Sequence, residues 1–200
     1  MVDGVRVRDW PETEELSRDR RQGGHPRGDG LLGSAFKGLA AGLVATWVLD
    51  RVDWAMWDAE DLRTRAKTRR VRPGGLDPAH VAANRIAGAF GAELNPTQPH
   101  PLGIALHYSF ATVPTVAYAL MRHQVPAVAM GGGTLFGLAA MMVEDEGMNP
   151  LLGLAAPPQD YPWQDHARSL VAHVVVGVVA EGLLRVLDGP PGEPKQLLAA

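Results

Sequence analysis

Residues 102–143 read LGIALHYSFATVPTVAYALMRHQVPAVAMGGGTLFGLAAMMV, two uncharged runs separated only by Arg122-His123-Gln124. The first run, 102–121, has 20 residues and one histidine, His107; the second, 125–143, has 19 residues and no charge. About 20 apolar residues match the hydrocarbon thickness of a bilayer, so each run is long enough to cross one. A three-residue connection forces the two to run antiparallel. Pro114 would kink the first helix, which a span tolerates when its neighbours re-satisfy the backbone. Gly131, Gly132, Gly133 and Gly137 would make a poor helix in water, yet they permit close helix contact in lipid. The triple glycine is no phosphate loop, because no Gly-Lys-Ser/Thr follows it.

Toward the amino terminus, 31–49 (LLGSAFKGLAAGLVATWVL) carries one charge, Lys37, and predicts a span over about 31–50. Gly38 and Gly42, four apart, offer a smooth helix face. Helix-forming residues continue without a breaker, which predicts that this helix runs out of the membrane toward Arg70. Trp47, Trp54 and Trp57 suit an interfacial aromatic belt. The basic run from Arg63 to Arg72 is a solvated helix end, with contact to anionic lipid as its more specific reading. Arg72-Pro73-Gly74-Gly75 is a stop and turn. Asp77-Pro78 then starts an amphipathic surface helix toward Leu94, with Val81, Ile86, Ala89, Phe90 and Leu94 on one face.

Toward the carboxyl terminus, Glu144-Asp145-Glu146 closes the second run, and a Gly/Pro-rich loop follows to Pro158. A helix is predicted from the Pro162–Asp165 region, with a span over about 167–187. Its strictly uncharged core, Ser169 to Ala180, is only 12 residues, so the span rests on its three stronger neighbours. Residues 1–30 are charged throughout and lack an early apolar stretch, which predicts a disordered tail rather than a cleavable signal. Residues 188–200 are expected to be a flexible tail.

Composition agrees with this division. The 200-residue chain has a net charge of −3 and a mean hydropathy of −0.06, a near-zero average of apolar runs and polar tails. No strong positive field points to nucleic acid. With no cysteine, disulfides, cysteine-zinc sites and thiol catalysis are excluded. A water-soluble bundle would have to bury three runs of about 20 residues on all sides, and the chain has too little polar surface to do so. The fold expected is therefore all-α: a polytopic helical membrane bundle of about four transmembrane helices plus one amphipathic surface helix. Membrane lipids are its expected partners, and the glycine faces at Gly38, Gly42, Gly133 and Gly137 offer a route to a homo-oligomer.

Titratable groups within lipid are costly and therefore default to functional candidates. His166, His173 and Glu181 are spaced by seven and eight on the closing helix and form one stripe; Arg185 lies four beyond Glu181, the favourable order for an ion pair. Such a stripe with His107 could relay protons, or it could serve as interhelical glue. Asp165 is expected to cap the helix and hold His166. Glu144 is expected at a solvated helix end, or turned inward toward His107. His166 and His173 are about 10 Å apart along one helix, too far to share an ion. No metal, cofactor or catalytic residue is therefore expected, and the chain is read as a non-enzymatic protein concerned with proton or small-ion balance or acid tolerance. A membrane scaffold is the alternative, and a metal-dependent membrane enzyme the weaker third.

The string Pro157-Pro158, Asp160-x-Pro162-Trp163 and His166, preceded by Pro150-Leu151-Leu152-Gly153-Leu154 and followed by His173, Glu181 and Arg185, resembles the YagU-like family. The succession of spans before it is similar too, so the resemblance covers about 31–187. It implies a multi-pass protein of the bacterial inner membrane and supplies no reaction. The proline-rich, arginine-containing stretch that the family tends to carry after its first span is replaced here by a charged helical segment.

Overall fold

The computed structural model describes residues 30–95 and 97–189; the expected tails 1–30 and 188–200 fall almost wholly outside these. Every regular element among the described residues is helical. Three helices are long and apolar enough to cross a membrane: α1 (Leu31–Ala59), α4 (Pro101–Met121) and α7 (Trp163–Asp188). At 1.5 Å per residue they are about 44, 32 and 39 Å long, against about 30 Å of hydrocarbon. Only 28, 22 and 33 % of their most apolar stretches are buried, and Phe36, Leu43, Val113 and Val178 face outward. So much uncovered apolar surface is at odds with water as the surrounding solvent.

Small residues set the spacing of these helices. A Cβ on Gly38 would lie 2.8 Å from the Val116 backbone, and one on Gly42 would lie 2.9 Å from that of Thr112. Glycine is therefore required where α1 crosses α4, and the pairing of 38 with 116 and 42 with 112 makes the two antiparallel. Between α1 and α7 the seam is Ala45, Leu49, Ala172, Val176 and Ala180. Contacts of Lys37 with Asp188 and of Asp53 with Arg168 make that pair antiparallel as well.

The run 125–143, expected as a fourth span, is not a single helix. Gly131, Gly132 and Gly133 adopt φ of 65, 63 and 93°, a left-handed conformation that glycine alone enters cheaply. The triple glycine thus breaks the chain between a 3₁₀ turn (Pro126–Ala129) and α5 (Thr134–Val143). The helical path then continues through a π turn (Glu144–Met148) into α6 (Asn149–Leu151). This path lies antiparallel to α7: a Cβ on Gly133 would lie 2.0 Å from the Gly177 carbonyl, one on Gly137 would lie 2.2 Å from that of His173, and Asp145 meets Ser169. The glycine faces expected to admit a second copy are occupied within the chain.

Two other boundaries differ from expectation. α1 stops at Ala59, because Asp61 accepts hydrogen bonds from Arg63 N (2.9 Å) and Thr64 N (3.0 Å) and so starts a separate helix, α2 (Leu62–Val71). α3 (Pro78–Ala89) begins as expected, with Asp77 accepting from His80 N at 3.0 Å, but it ends short of Leu94. Its inner face is Ala79, His80, Ala83 and Ala87, packed on α4, while Ile86 and Phe90 point outward. Of the expected apolar face, Val81 is buried whereas Ile86 and Phe90 are exposed. Alanine spacing permits the close approach to α4.

Candidate functional site

The two ends of the bundle collect different polar constellations. At the end of α4 and α7, Arg122 grips Glu181 with two hydrogen bonds of 2.9 Å, a bidentate geometry suited to guanidinium and carboxylate. Tyr118 Oη donates to the same carboxylate at 2.6 Å, and Arg185 Nε donates at 2.6 Å. Arg122 also reaches Asp188 at 2.5 Å, and Asp188 accepts from Lys37 at 2.7 Å. Tyr118 and Glu181 are 1 and 2 % exposed, and Phe136 stacks on the Tyr118 ring at 4.4 Å. Glu181 thus accepts four hydrogen bonds, three from the buried Tyr118 and Arg122 and one from the more exposed Arg185. This end is closed.

At the opposite end lies a cavity of about 630 Å³, within the size range of small-molecule sites. Arg168 of α7, 4 % exposed, stands in its wall and binds Asp53 (2.8 Å), Glu60 (2.5 Å) and Asp165. Three guanidiniums surround the Trp57 ring: Arg168 at 4.8, Arg69 at 5.4 and Arg72 at 5.9 Å. Cation–π attraction offsets part of the repulsion among them. Leu49, Leu76, Phe110 and Ala172 supply the apolar part of the lining.

Glu144 and Asp145 reach this cavity from the π turn, a bulge that shifts the register of the helix and is frequent at functional sites. Asp145 accepts from Ser169 Oγ and from Asn149 Nδ2 (3.2 Å), with His173 Nδ1 3.8 Å away. The Glu144 carboxylate forms no hydrogen bond or ion pair among the described residues. Burial first, and the neighbouring Asp145 charge second, push its carboxyl up to about 7.

The residues singled out from the sequence are redistributed by this arrangement. His107 and His173 both line the cavity, and His107 Nε2 lies 2.8 Å from Asp50. Glu181 belongs to the closed end, so the expected His107, His173 and Glu181 set does not assemble. The Glu181–Arg185 pair forms as read. Asp165 holds Arg168 rather than capping the helix, and His166 is held instead by Glu146 (2.7 Å) and the Pro158 carbonyl (3.0 Å). Glu144 faces the same space as His107 without touching it.

Sequence reading missed five participants: Arg122, Tyr118, Arg168 and the pair His80–His100. Asp77 holds His80 Nδ1 (2.9 Å), His80 Nε2 accepts from His100 N (3.2 Å), and His100 Nδ1 accepts from Gly103 N (3.1 Å), which pins the start of α4 to α3. A Cβ on Gly103 would collide with the His80 ring at 2.2 Å. The available signal was positional: arginine at the edge of an uncharged run needs a buried partner, and Arg122 and Arg168 both sit there. Among the described residues no three His, Asp or Glu side chains converge on a point that could hold a metal ion.

A family model described as a protein of unknown function, DUF1440, matches residues 94–182. Over that stretch the chain is similar to the family, from the approach to α4 through most of α7. The match takes in His107, Glu144, Asp145, Arg168 and His173 and leaves out Trp57, Arg69 and Arg72. No curated protein and no solved structure matches the chain.

Proposed function

We propose that the chain is a non-enzymatic, multi-pass protein of the bacterial inner membrane that exchanges protons or small ionised solutes with one aqueous face, through the cavity lined by Glu144. The bacterial setting follows the resemblance to the YagU-like family. Four crossings are proposed, the fourth made by residues 126–143. α4 and α7 run in the same direction, so the chain between them must return across the bundle, and its antiparallel path beside α7 supports that return. Glu144 then stands just beyond the fourth crossing and outside the three long helices.

The observation that carries this reading is an acidic side chain, Glu144, with no partner among the described residues, beside a cavity of about 630 Å³. Every other carboxylate in that lining has a donor: Asp53 and Asp165 have Arg168, Asp77 has His80, and Asp145 has Ser169 and Asn149. Around the cavity Glu144 shares space with Asp145 on its own turn, with Asp165, Arg168 and His173 on α7, and with His107 on α4. Asp53 faces it from α1, Arg69 and Arg72 from the end of α2, and Asp77 from the start of α3. A carboxyl that titrates near neutrality can take up and release a proton under physiological conditions, which a carboxylate locked to arginine cannot.

Potentiometric titration of the detergent-purified protein tests the reading. Near pH 7 it should release about one proton more than the Glu144→Gln variant does. A titration curve that is unaltered by Glu144→Gln and by His173→Ala together overturns it.

A further inference from the structure

The cavity still holds charges that the protein does not neutralise, and they are of both signs. Arg168 is spent on its three carboxylates and Asp77 on His80. Arg69 has no anionic partner among the described residues, and Arg72 reaches Asp165 only at 3.8 Å. Both lie beside Trp57 at the end of α2. From a different element, the π turn, Glu144 has no partner among the described residues, and Asp145 has among them neutral donors and a histidine at 3.8 Å. No ion pair joins the two groups among the described residues.

We infer that this cavity binds a small zwitterion, a molecule with an ammonium group and a carboxylate or phosphate a few bonds apart. The inference rests on the reading of the cavity as the functional site, though not on proton movement through it. The two guanidiniums present planar, forked donors to an anionic group, which suits carboxylate or phosphate. Glu144 and Asp145 accept from an ammonium. Leu49, Leu76 and Phe110 in the same lining supply apolar surface that suits a short alkyl spacer. A purely anionic ligand would leave the carboxylates desolvated and unpaired, and a purely cationic one would do the same to the arginines. A free solute and a lipid headgroup can present the same pair of charges, so phosphoethanolamine and the headgroup of phosphatidylethanolamine share the required chemistry.

Isothermal titration of the detergent-purified protein, stripped of phospholipid, tests the inference. The probes are phosphoethanolamine, its single-charge halves ethanolamine and inorganic phosphate, and dihexanoyl phosphatidylethanolamine. One equivalent of phosphoethanolamine or of the short-chain lipid should bind at least about tenfold more tightly than either half. Whichever of the two binds better identifies a free or a lipid source. Arg72→Lys keeps the charge but loses the fork and should weaken binding; Arg69→Gln and Glu144→Gln should each weaken it by about tenfold or more. Arg70→Gln, which lies off the cavity, should leave it unchanged, and unaltered thermal unfolding separates these effects from misfolding. Equal affinity for the zwitterions and their halves, or binding indifferent to Arg69→Gln and Glu144→Gln, overturns the inference. Zwitterion binding without proton exchange would refute the proton reading alone; proton exchange without zwitterion binding would refute this inference alone.

Discussion

The two ends of the bundle use the same chemistry to opposite effect. At the closed end Arg122 and Glu181 neutralise each other completely, Tyr118 and Arg185 saturate the carboxylate, and Phe136 seals the cluster. At the open end Arg168 is equally buried, yet two of its carboxylates, Asp53 and Asp165, line a cavity, and Glu144 beside them has no partner among the described residues. Partnering, not burial, separates the two. A saturated ion pair inside a membrane bundle fixes helix register. A buried-end carboxyl without a donor leaves chemistry undone, and it stands beside space for a ligand.

The largest effect that separates the ends is expected from Arg122→Met. It strands Glu181 with one partly exposed arginine and should cost roughly 3–5 kcal/mol in reversible unfolding in detergent, the usual penalty for breaking a buried pair. Arg122→Met with Glu181→Met should recover most of that loss, since an apolar replacement of both partners removes the desolvation cost too. Next comes Gly137→Ala, whose Cβ would meet the His173 carbonyl at 2.2 Å. It should lower stability by about 1–3 kcal/mol and shift the helical path that carries Glu144. At the open end Asp165→Asn leaves Arg168 two carboxylates and should cost only about 1 kcal/mol. A loss as large as that of Arg122→Met would erase the contrast.

The smallest effect is one of pH. Glu144 is held up to about 7 in the folded state, above the usual carboxyl value of 4.5. The folded state therefore binds more protons than the unfolded one across that interval. Stability should fall as pH rises from about 4.5 to about 7 and then level off. Glu144→Gln should flatten that part of the profile, while Glu181→Gln should not. Unfolding midpoints measured across pH 4 to 8 would show it.

Much of the fold was legible because lipid imposes a length rule. The run 31–49, with its single charge, and the uncharged run 102–121 mark α1 and α4, and the weaker 169–180 core still marks α7, since a span needs length before it needs packing detail. Asp77-Pro78 was legible for a local reason: a side-chain acceptor and a preset φ start a helix wherever they fall. The triple glycine was misread because composition does not reveal the sign of φ, and the same residues serve a helix face or a left-handed break. The site was harder still. Glu181–Arg185 lies on one helix and follows from spacing, whereas Arg122–Glu181 and Arg168–Asp53 depend on how deep each helix sits against another. Depth is set by Gly38, Gly42, Gly133 and Gly137, and nothing in a one-dimensional reading gives the partner each of them meets.

Lipid around the long helices, with the two polar ends on opposite faces of the membrane, underlies everything else. Because the chain has no native cysteine, single cysteines can be placed without background. Lys67→Cys and Met148→Cys mark the cavity end, and His123→Cys marks the closed end. In sealed vesicles a membrane-impermeant thiol reagent should label positions 67 and 148 from one side and position 123 only from the other; labelling of all three from the same side would contradict the account.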